Sequence, residues 1–364
     1  MTTAPAPQPG IMGIDLYQGG ASKIAGRDDV LKLSSNENPY GAPPSAVEAA
    51  RVAAADMHLY PPTDHAPLRR AIAEVHDLDP ERVICGVGSD EVIHWLCQAY
   101  AGPGDQVLHT EHGFLMYGIS ARAAGAAPVK VPERDRTVDV DALLDGVTDA
   151  TKLVFIANPA NPTGTLLNGQ DVTRLADGLP DGCLLVLDGA YAEFADDFDG
   201  GLRLAETRAN VVATRTFSKL YGLGGMRVGW AYGARDAIDV LNRIRGPFNL
   251  SNVALAAAEA AVRDRDFAAM TRDGNAAQRA RLICGLRALG LGCDDSQANF
   301  VLARFADRAT AEAADAHLQA AGIVVRHPVG YGFPAALRIT VGDEAGTTRV
   351  LDALRAFAER DDDL

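Results

Sequence analysis

The chain has 364 residues, 48% hydrophobic and 23% charged, with a formal net charge of -14 at pH 7. That length supports more than one hydrophobic centre, and the balance is that of a folded globular protein rather than a disordered one. The acidic excess argues against a nucleic-acid or anionic-membrane surface, although a local pocket of arginines could still take a small anion.

The first residues, MTTAPAPQPGIMGID, have no basic start and no continuous apolar segment, so residues 1–40 read as a flexible arm and not as a secretory signal. Strands are then predicted at 82–87 (RVICGV), 105–110 (DQVLHT), 127–132 (APVKVP), 152–157 (KLVFIA), 183–188 (CLLVLD) and 210–218 (NVVATRTFS). Several are almost unbroken apolar runs, as expected of parallel strands covered by helices on both faces. The segments between them, such as SDEVIHWLCQAYAG and DVTRLADGL, carry helical periodicity. Residues 41–246 therefore read as a large α/β domain with a mostly parallel central sheet. Beyond Gly246, alanine-rich helices around 253–272, 275–289 and 309–321 accompany short strands at ANFVLARF, GIVVRHP and ALRITVG, and a last helix covers 343–360. This is the pattern of a smaller α+β domain, 247–364, with an antiparallel sheet, packed with part of the arm. The stretch VALAAAEAAV contains Glu259 and is too short to span a bilayer. Cys85, Cys97, Cys183, Cys284 and Cys293 form no C-x-x-C pair and have no histidine at metal-ligand spacing. Reduced core thiols at Cys85, Cys97 and Cys183, no metal and a cytoplasmic location are expected.

In open α/β sheets, ligands bind beyond the carboxyl ends of the strands. After strand 82–87, GVGSDEVIHWL turns through glycine into a helix starting at Ser89 and Asp90; this is either an anion cup or an ordinary N-cap. After 152–157, the two Asn-Pro pairs of NPANPTG forbid a helix and make either a tight loop or a rigid mount for Asn161. Asp188 ends an apolar strand and, if buried, needs a partner, as cofactor ligand, helix cap or ion pair. The last strand runs into TRTFSKLYGLGGMRVGW, in which Lys219 precedes a glycine-rich turn and Arg227. Arg227 stands where a dinucleotide fingerprint would need its third glycine. A strand-end lysine that is desolvated or near other cations can instead form a Schiff base with an aldehyde cofactor. Pyridoxal phosphate needs such a lysine, a carboxylate at its ring nitrogen, donors at its phenolic oxygen and an N–H-rich phosphate cup. All four kinds of group stand at strand ends here.

SKLYGLGGMRVGW resembles the cofactor-lysine signature of fold-type I, class II pyridoxal-phosphate-dependent aminotransferases, and NPANPTG and DGAY resemble two further signatures in the usual order. LSSNENPYG, YPP at 60–62 and LRITVG narrow the resemblance to the histidinol-phosphate aminotransferase branch, over essentially the whole chain. The resemblance implies that Lys219 binds the cofactor aldehyde and then serves as general base and acid. It implies Asp188 at the ring nitrogen, and Asn161 and Tyr191 at the phenolic oxygen. The phosphate would rest on main-chain N–H groups of Ser89 and Asp90, with the Asp90 side chain turned away, completed by Thr216, Ser218 and Arg227. Phe114 would stack on the ring, its alternative being a core phenylalanine. Tyr60 would reach the neighbouring site of a homodimer, while Tyr17, Asn38, Tyr60 and Arg338 would face the substrate. Arg326 is a second substrate candidate, or else a surface ion-pair partner. The implied reaction joins histidinol phosphate to a 2-oxo acid such as 2-oxoglutarate, in histidine biosynthesis. Three alternatives stay open: an aromatic amino-acid aminotransferase of the same branch, a decarboxylase of a phosphorylated amino acid, and a ligand-sensing regulator domain, which no helix-turn-helix segment supports. One departure stands out: Gly189 occupies the place of a common glutamate.

Overall fold

The apolar runs become strands β1 (Leu31–Lys32), β2 (Val83–Gly86), β3 (Gln106–Thr110), β4 (Ala127–Val131), β5 (Thr151–Ala157), β6 (Leu184–Asp188), β7 (Val211–Thr216), β8 (Gly229–Gly233), β9 (Phe300–Arg304), β10 (Ile323–Val324) and β11 (Ala336–Thr340). The computed structural model describes residues 5–17 and 19–361; residues 1–4, the start of the expected arm, and residues 362–364 lie outside the described residues. Seven strands form one sheet in the order β2-β8-β7-β6-β5-β3-β4. Every neighbouring pair is parallel except those made by β8, which runs antiparallel to both β7 and β2. The α/β class with a mostly parallel sheet is thus as expected.

Side chains alternate across this sheet with the period of two that extended backbone imposes. Leu153, Phe155, Leu184, Val186 and Val212 enter one core cluster, while Val154, Ile156, Leu185, Leu187 and Val211 enter the other. Burial on both faces explains the unbroken apolar runs. β8 was not expected, because GWAYG offers two glycines and no β-branched run. Gly229 is required there: a Cβ would overlap the backbone of Gly88 and Ser89. Cys85, Cys97 and Cys183 are core thiols, and burial pushes Cys85 and Cys97 up to about 12.

A separate cluster joins Leu33 to Leu282, Leu286, Val301, Leu337 and Val350. It is framed by the antiparallel pair β9–β11 and by β1 pairing parallel with β10, so the chain's early residues belong to this smaller unit. Two helices differ from expectation. The break falls at Asp264, between Asn252–Arg263 and Arg265–Ala288, because the Asp264 carboxylate accepts the Phe267 N–H at 3.1 Å. Gly274 stays inside the second helix, where a Cβ would come within 2.9 Å of Tyr40 Cζ. The helix Asn252–Arg263 packs Ala254, Ala257, Ala258 and Ala261 into the larger unit's core with Ala46, Leu68 and Ala71. We therefore propose that the division between the units falls within helix Arg265–Ala288, not at 246. No helix among the described residues is long and apolar enough to cross a membrane.

Candidate active site

β5, β6 and β7 end side by side, and the residues that follow them line one pocket with Ser89, Asp90, Phe114 and Tyr17. Asp188, the last residue of β6, is 4% exposed. Its carboxylate accepts hydrogen bonds from Tyr117 Oη at 2.7 Å, Thr214 Oγ1 at 3.2 Å and the Ala190 N–H at 3.2 Å. Burial raises its pKa, and the Tyr117 bond pulls the other way. No cationic side chain among the described residues pairs with it. A buried carboxylate with neutral donors and no counter-charge can take a cationic partner such as a protonated ring nitrogen.

Lys219 follows β7 and donates from Nζ to the Ser35 carbonyl at 3.0 Å. Desolvation first, then the Arg338 guanidinium, lower its pKa to about 8. The amine is thereby brought towards the neutral, nucleophilic form near physiological pH.

Two hydrogen bonds orient the donors beside it. Arg338 Nη1 donates to Asn161 Oδ1 at 2.6 Å, which leaves the Asn161 amide N–H groups for the pocket. Asn36 Nδ2 donates to Tyr191 Oη at 2.9 Å, which leaves the Tyr191 hydroxyl proton free to be given away. Both Asn–Pro peptide bonds of the NPANP loop, Asn158–Pro159 and Asn161–Pro162, are cis, and Asn161 itself is buried.

The helix Gly88–Tyr100 begins against β8, and its first turn faces the pocket. Ser89 does not cap it; Glu91 Oε2 accepts the Val87 N–H at 2.6 Å instead, so the N-cap alternative for Ser89 is set aside. Arg227, in left-handed backbone at φ 55°, donates from Nη1 to Ser218 Oγ and the Gly224 carbonyl, each at 3.2 Å. Its Nη2 reaches Asp90 Oδ2 at 3.3 Å. The Asp90 side chain is therefore not turned away, as expected, but pairs with Arg227; a carboxylate at a helix N-terminus finds a cation when one is in reach. Thr216 Oγ1 accepts the Ser218 N–H at 3.1 Å. Together, Ser89, Ser218, Arg227 and the free N–H groups of a helix start can hold a phosphate. The donor set, Asp188 and Lys219 fit a phosphorylated pyridine aldehyde.

Of the residues singled out from the sequence, Tyr17, Ser89, Asp90, Phe114, Asn161, Asp188, Tyr191, Thr216, Ser218, Lys219, Arg227, Arg326 and Arg338 line the pocket. Asn38 does not: its Nδ2 donates to the Leu220 carbonyl at 2.7 Å and its Oδ1 accepts the Tyr40 N–H at 2.9 Å, bracing the lysine loop from behind. Asn36 takes the pocket position two residues earlier. Tyr60 lies away from the pocket, 81% exposed, its ring stacked on Phe248 at 4.5 Å. Tyr117 and Tyr331 were missed. Tyr117 reads as helix core, being three residues after Phe114, and Tyr331 is marked only by its flanking glycines. A Cβ on Gly222 would collide with the backbone of Gly41, so that glycine lets two stretches of chain cross. At Gly189 the Arg215 guanidinium fills the space: a Cβ would lie 2.7 Å from Arg215 Cζ. Arg215 is buried, 3.5 Å from the buried Glu193, and donates to the carbonyls of Asp199, Gly200 and Thr214.

The sequence profile of the family described as aminotransferase class I and II matches residues 28–354. A histidinol-phosphate aminotransferase of Jannaschia sp. (strain CCS1) is 65% identical over 357 residues, 98% of this chain and 99% of that one. Another, of Dinoroseobacter shibae, is 64% identical over 351 residues, 96% and 97% of the two chains. Among solved structures, the histidinol-phosphate aminotransferase from Sinorhizobium meliloti in complex with pyridoxal-5'-phosphate superposes with a TM-score of 0.89 at 27% identity, covering 99% of each chain.

Proposed function

Since the chain belongs to the aminotransferase class I and II family, we propose that it transfers the amino group of histidinol phosphate to a 2-oxo acid, with 2-oxoglutarate as acceptor. It acts with pyridoxal 5'-phosphate, in histidine biosynthesis. The relatives at 60–65% identity, all bearing that activity in their names over nearly the full chain, support the donor. The observation that carries the chemistry is a pocket joining the buried Asp188, a lysine lowered to about 8 and two guanidiniums, Arg326 and Arg338.

When bound, the cofactor serves as an electron sink for the bonds at the substrate's Cα. The chain's residues do the rest. Asp188 keeps the ring nitrogen protonated through a charge-assisted bond in a buried setting. Asn161 and Tyr191 offer their free N–H and O–H to the phenolic oxygen, both preset by Arg338 and Asn36. Phe114 faces the ring, and Ser89, Ser218 and Arg227 with the helix start hold the phosphate, beside Thr216. Lys219 Nζ, lowered to about 8, would take the proton from the substrate's Cα as general base and hold it as the conjugate acid. Arg338, with Arg326 and Tyr17, binds the anionic end of each substrate in turn.

The active form we infer is a cytoplasmic homodimer in which Tyr60 completes the neighbouring site. Tyr60 and Phe248 are exposed together with Val47, Val52, Met57 and Leu59, an apolar surface that a second copy would cover. Single-turnover mixing without acceptor tests the donor: the cofactor absorbance should change fastest with histidinol phosphate. Equal rates with phenylalanine and tyrosine would remove the donor assignment and leave an aminotransferase of wider range.

A further inference from the structure

We propose that Tyr331 is a specificity-determining residue whose hydroxyl recognises the phosphate of the amino donor, and that His112 is the positioning residue that holds it there. The proposal rests on histidinol phosphate being the donor.

Tyr331 closes a short 3-10 turn, Val329–Tyr331, ahead of β11, and is 5% exposed. It lines the pocket with Tyr17, Arg326 and Arg338. Among the described residues its hydroxyl has no hydrogen-bond partner. Burial and then the neighbouring Tyr17 make that hydroxyl less acidic, while the guanidiniums of Arg338 and Arg326, which line the same pocket, act in the opposite sense. Arg338 already spends one proton of Nη1 on Asn161 and one of Nη2 on the Ser34 carbonyl at 3.0 Å. A carboxylate presents two oxygens, whereas a phosphate monoester presents three terminal oxygens and up to two charges. A further fixed O–H beside two guanidiniums therefore favours the phosphate over a smaller anion.

The turn is held by a residue of the other unit. A carbonyl can only accept, so His112 donates from Nδ1 to the Tyr331 carbonyl, at 2.6 Å. The imidazole also packs on Phe333 with ring centroids 4.2 Å apart. Gly332, at φ 86°, follows Tyr331, and a Cβ on it would lie 3.0 Å from His112. Glycine is thus needed both for the left-handed turn and for the ring's approach. His112 stands two residues before Phe114. One loop therefore positions both the pocket aromatic Phe114 and the turn that carries Tyr331.

The test uses the cofactor-loaded enzyme with histidinol phosphate and with histidinol, which lacks only the phosphate. Tyr331→Phe should lower the preference in kcat/KM for the phosphorylated donor roughly tenfold or more, the worth of a hydrogen bond to a charged group. It should also weaken the protection that inorganic phosphate gives against thermal unfolding. His112→Phe keeps a ring on Phe333 but cannot donate, and should lower the same preference. His112→Asn carries an amide nitrogen close to the Nδ1 position and should restore it. An unchanged preference in Tyr331→Phe, an equal loss for both donors, or identical behaviour of His112→Asn and His112→Phe would overturn the proposal. A wild-type enzyme indifferent to the donor's phosphate would instead overturn the donor assignment itself, before any variant is compared.

Discussion

Tyr117 gives its hydroxyl proton to Asp188 Oδ2 across 2.7 Å, although 71 residues separate the two in the chain. The bond joins the helix after β3 to the end of β6 and stabilises a carboxylate that burial disfavours. Tyr117→Phe keeps the ring, which stacks on Phe155 at 4.8 Å, and removes only that donor. Loss of about 1.5 kcal/mol at the carboxylate should lower kcat about tenfold. Asp188 then ionises only at higher pH, so the acidic limb of the kcat profile should move up. A profile that keeps its acidic limb would separate the bond from the function proposed for Asp188.

Lys219 should react with aldehydes as an unusually weak base. With its pKa near 8 instead of 10.5, the neutral fraction rises through pH 8, and so should the rate of aldehyde capture by the cofactor-free protein. Lys219→Ala should abolish both capture and turnover. Because Arg338 is the second cause of the lowering, Arg338→Met should shift the midpoint to higher pH. Capture that rises only near pH 10 in the wild type would contradict the desolvated lysine.

Gly189 is a packing requirement in this chain. Gly189→Ala places a methyl in the space of the Arg215 guanidinium and should cost about 1–3 kcal/mol in urea unfolding. Arg215→Ala should cost about 3–5 kcal/mol, since it leaves Glu193 buried without its cation. The two losses should not add, because both act through one guanidinium. Additive losses would show that the residues act independently.

Acid should destabilise the protein through three histidines held neutral by burial. His65, His76 and His109 are each lowered from 6.5 to about 4, chiefly by desolvation. Between pH 6.5 and 4 the unfolded chain binds these protons and the folded chain does not, so stability falls as pH falls through that window. The thermal midpoint should drop progressively below pH 6.5. His109→Gln should flatten the drop; a midpoint level down to pH 5 would contradict the assignment.

Much of the site was legible because its chemistry sits at strand ends, where a polar residue abruptly closes an apolar run. Asp188 after CLLVL and Lys219 after β7 show this, as does the NPANP loop after β5. Asn36 and Asn38 lie two residues apart in the same motif, and nothing local tells which side chain faces Tyr191 and which braces Leu220. Asp90 was misjudged because its partner, Arg227, arrives 137 residues later.

Hydrophobic periodicity and strand-end residue types are properties of neighbouring positions, and through them the sequence by itself determined the α/β class, most of the sheet's strands and the place of Lys219 just beyond a strand end. The antiparallel β8, the helix break at Asp264, the Tyr117–Asp188 bond, the Arg215 fill beside Gly189 and the His112–Tyr331 tie were decided by the tertiary structure. Each depends on groups distant in the chain or on space left by a missing Cβ. Such contacts are chosen by burial and hydrogen-bond satisfaction in three dimensions, which the order of residues does not display.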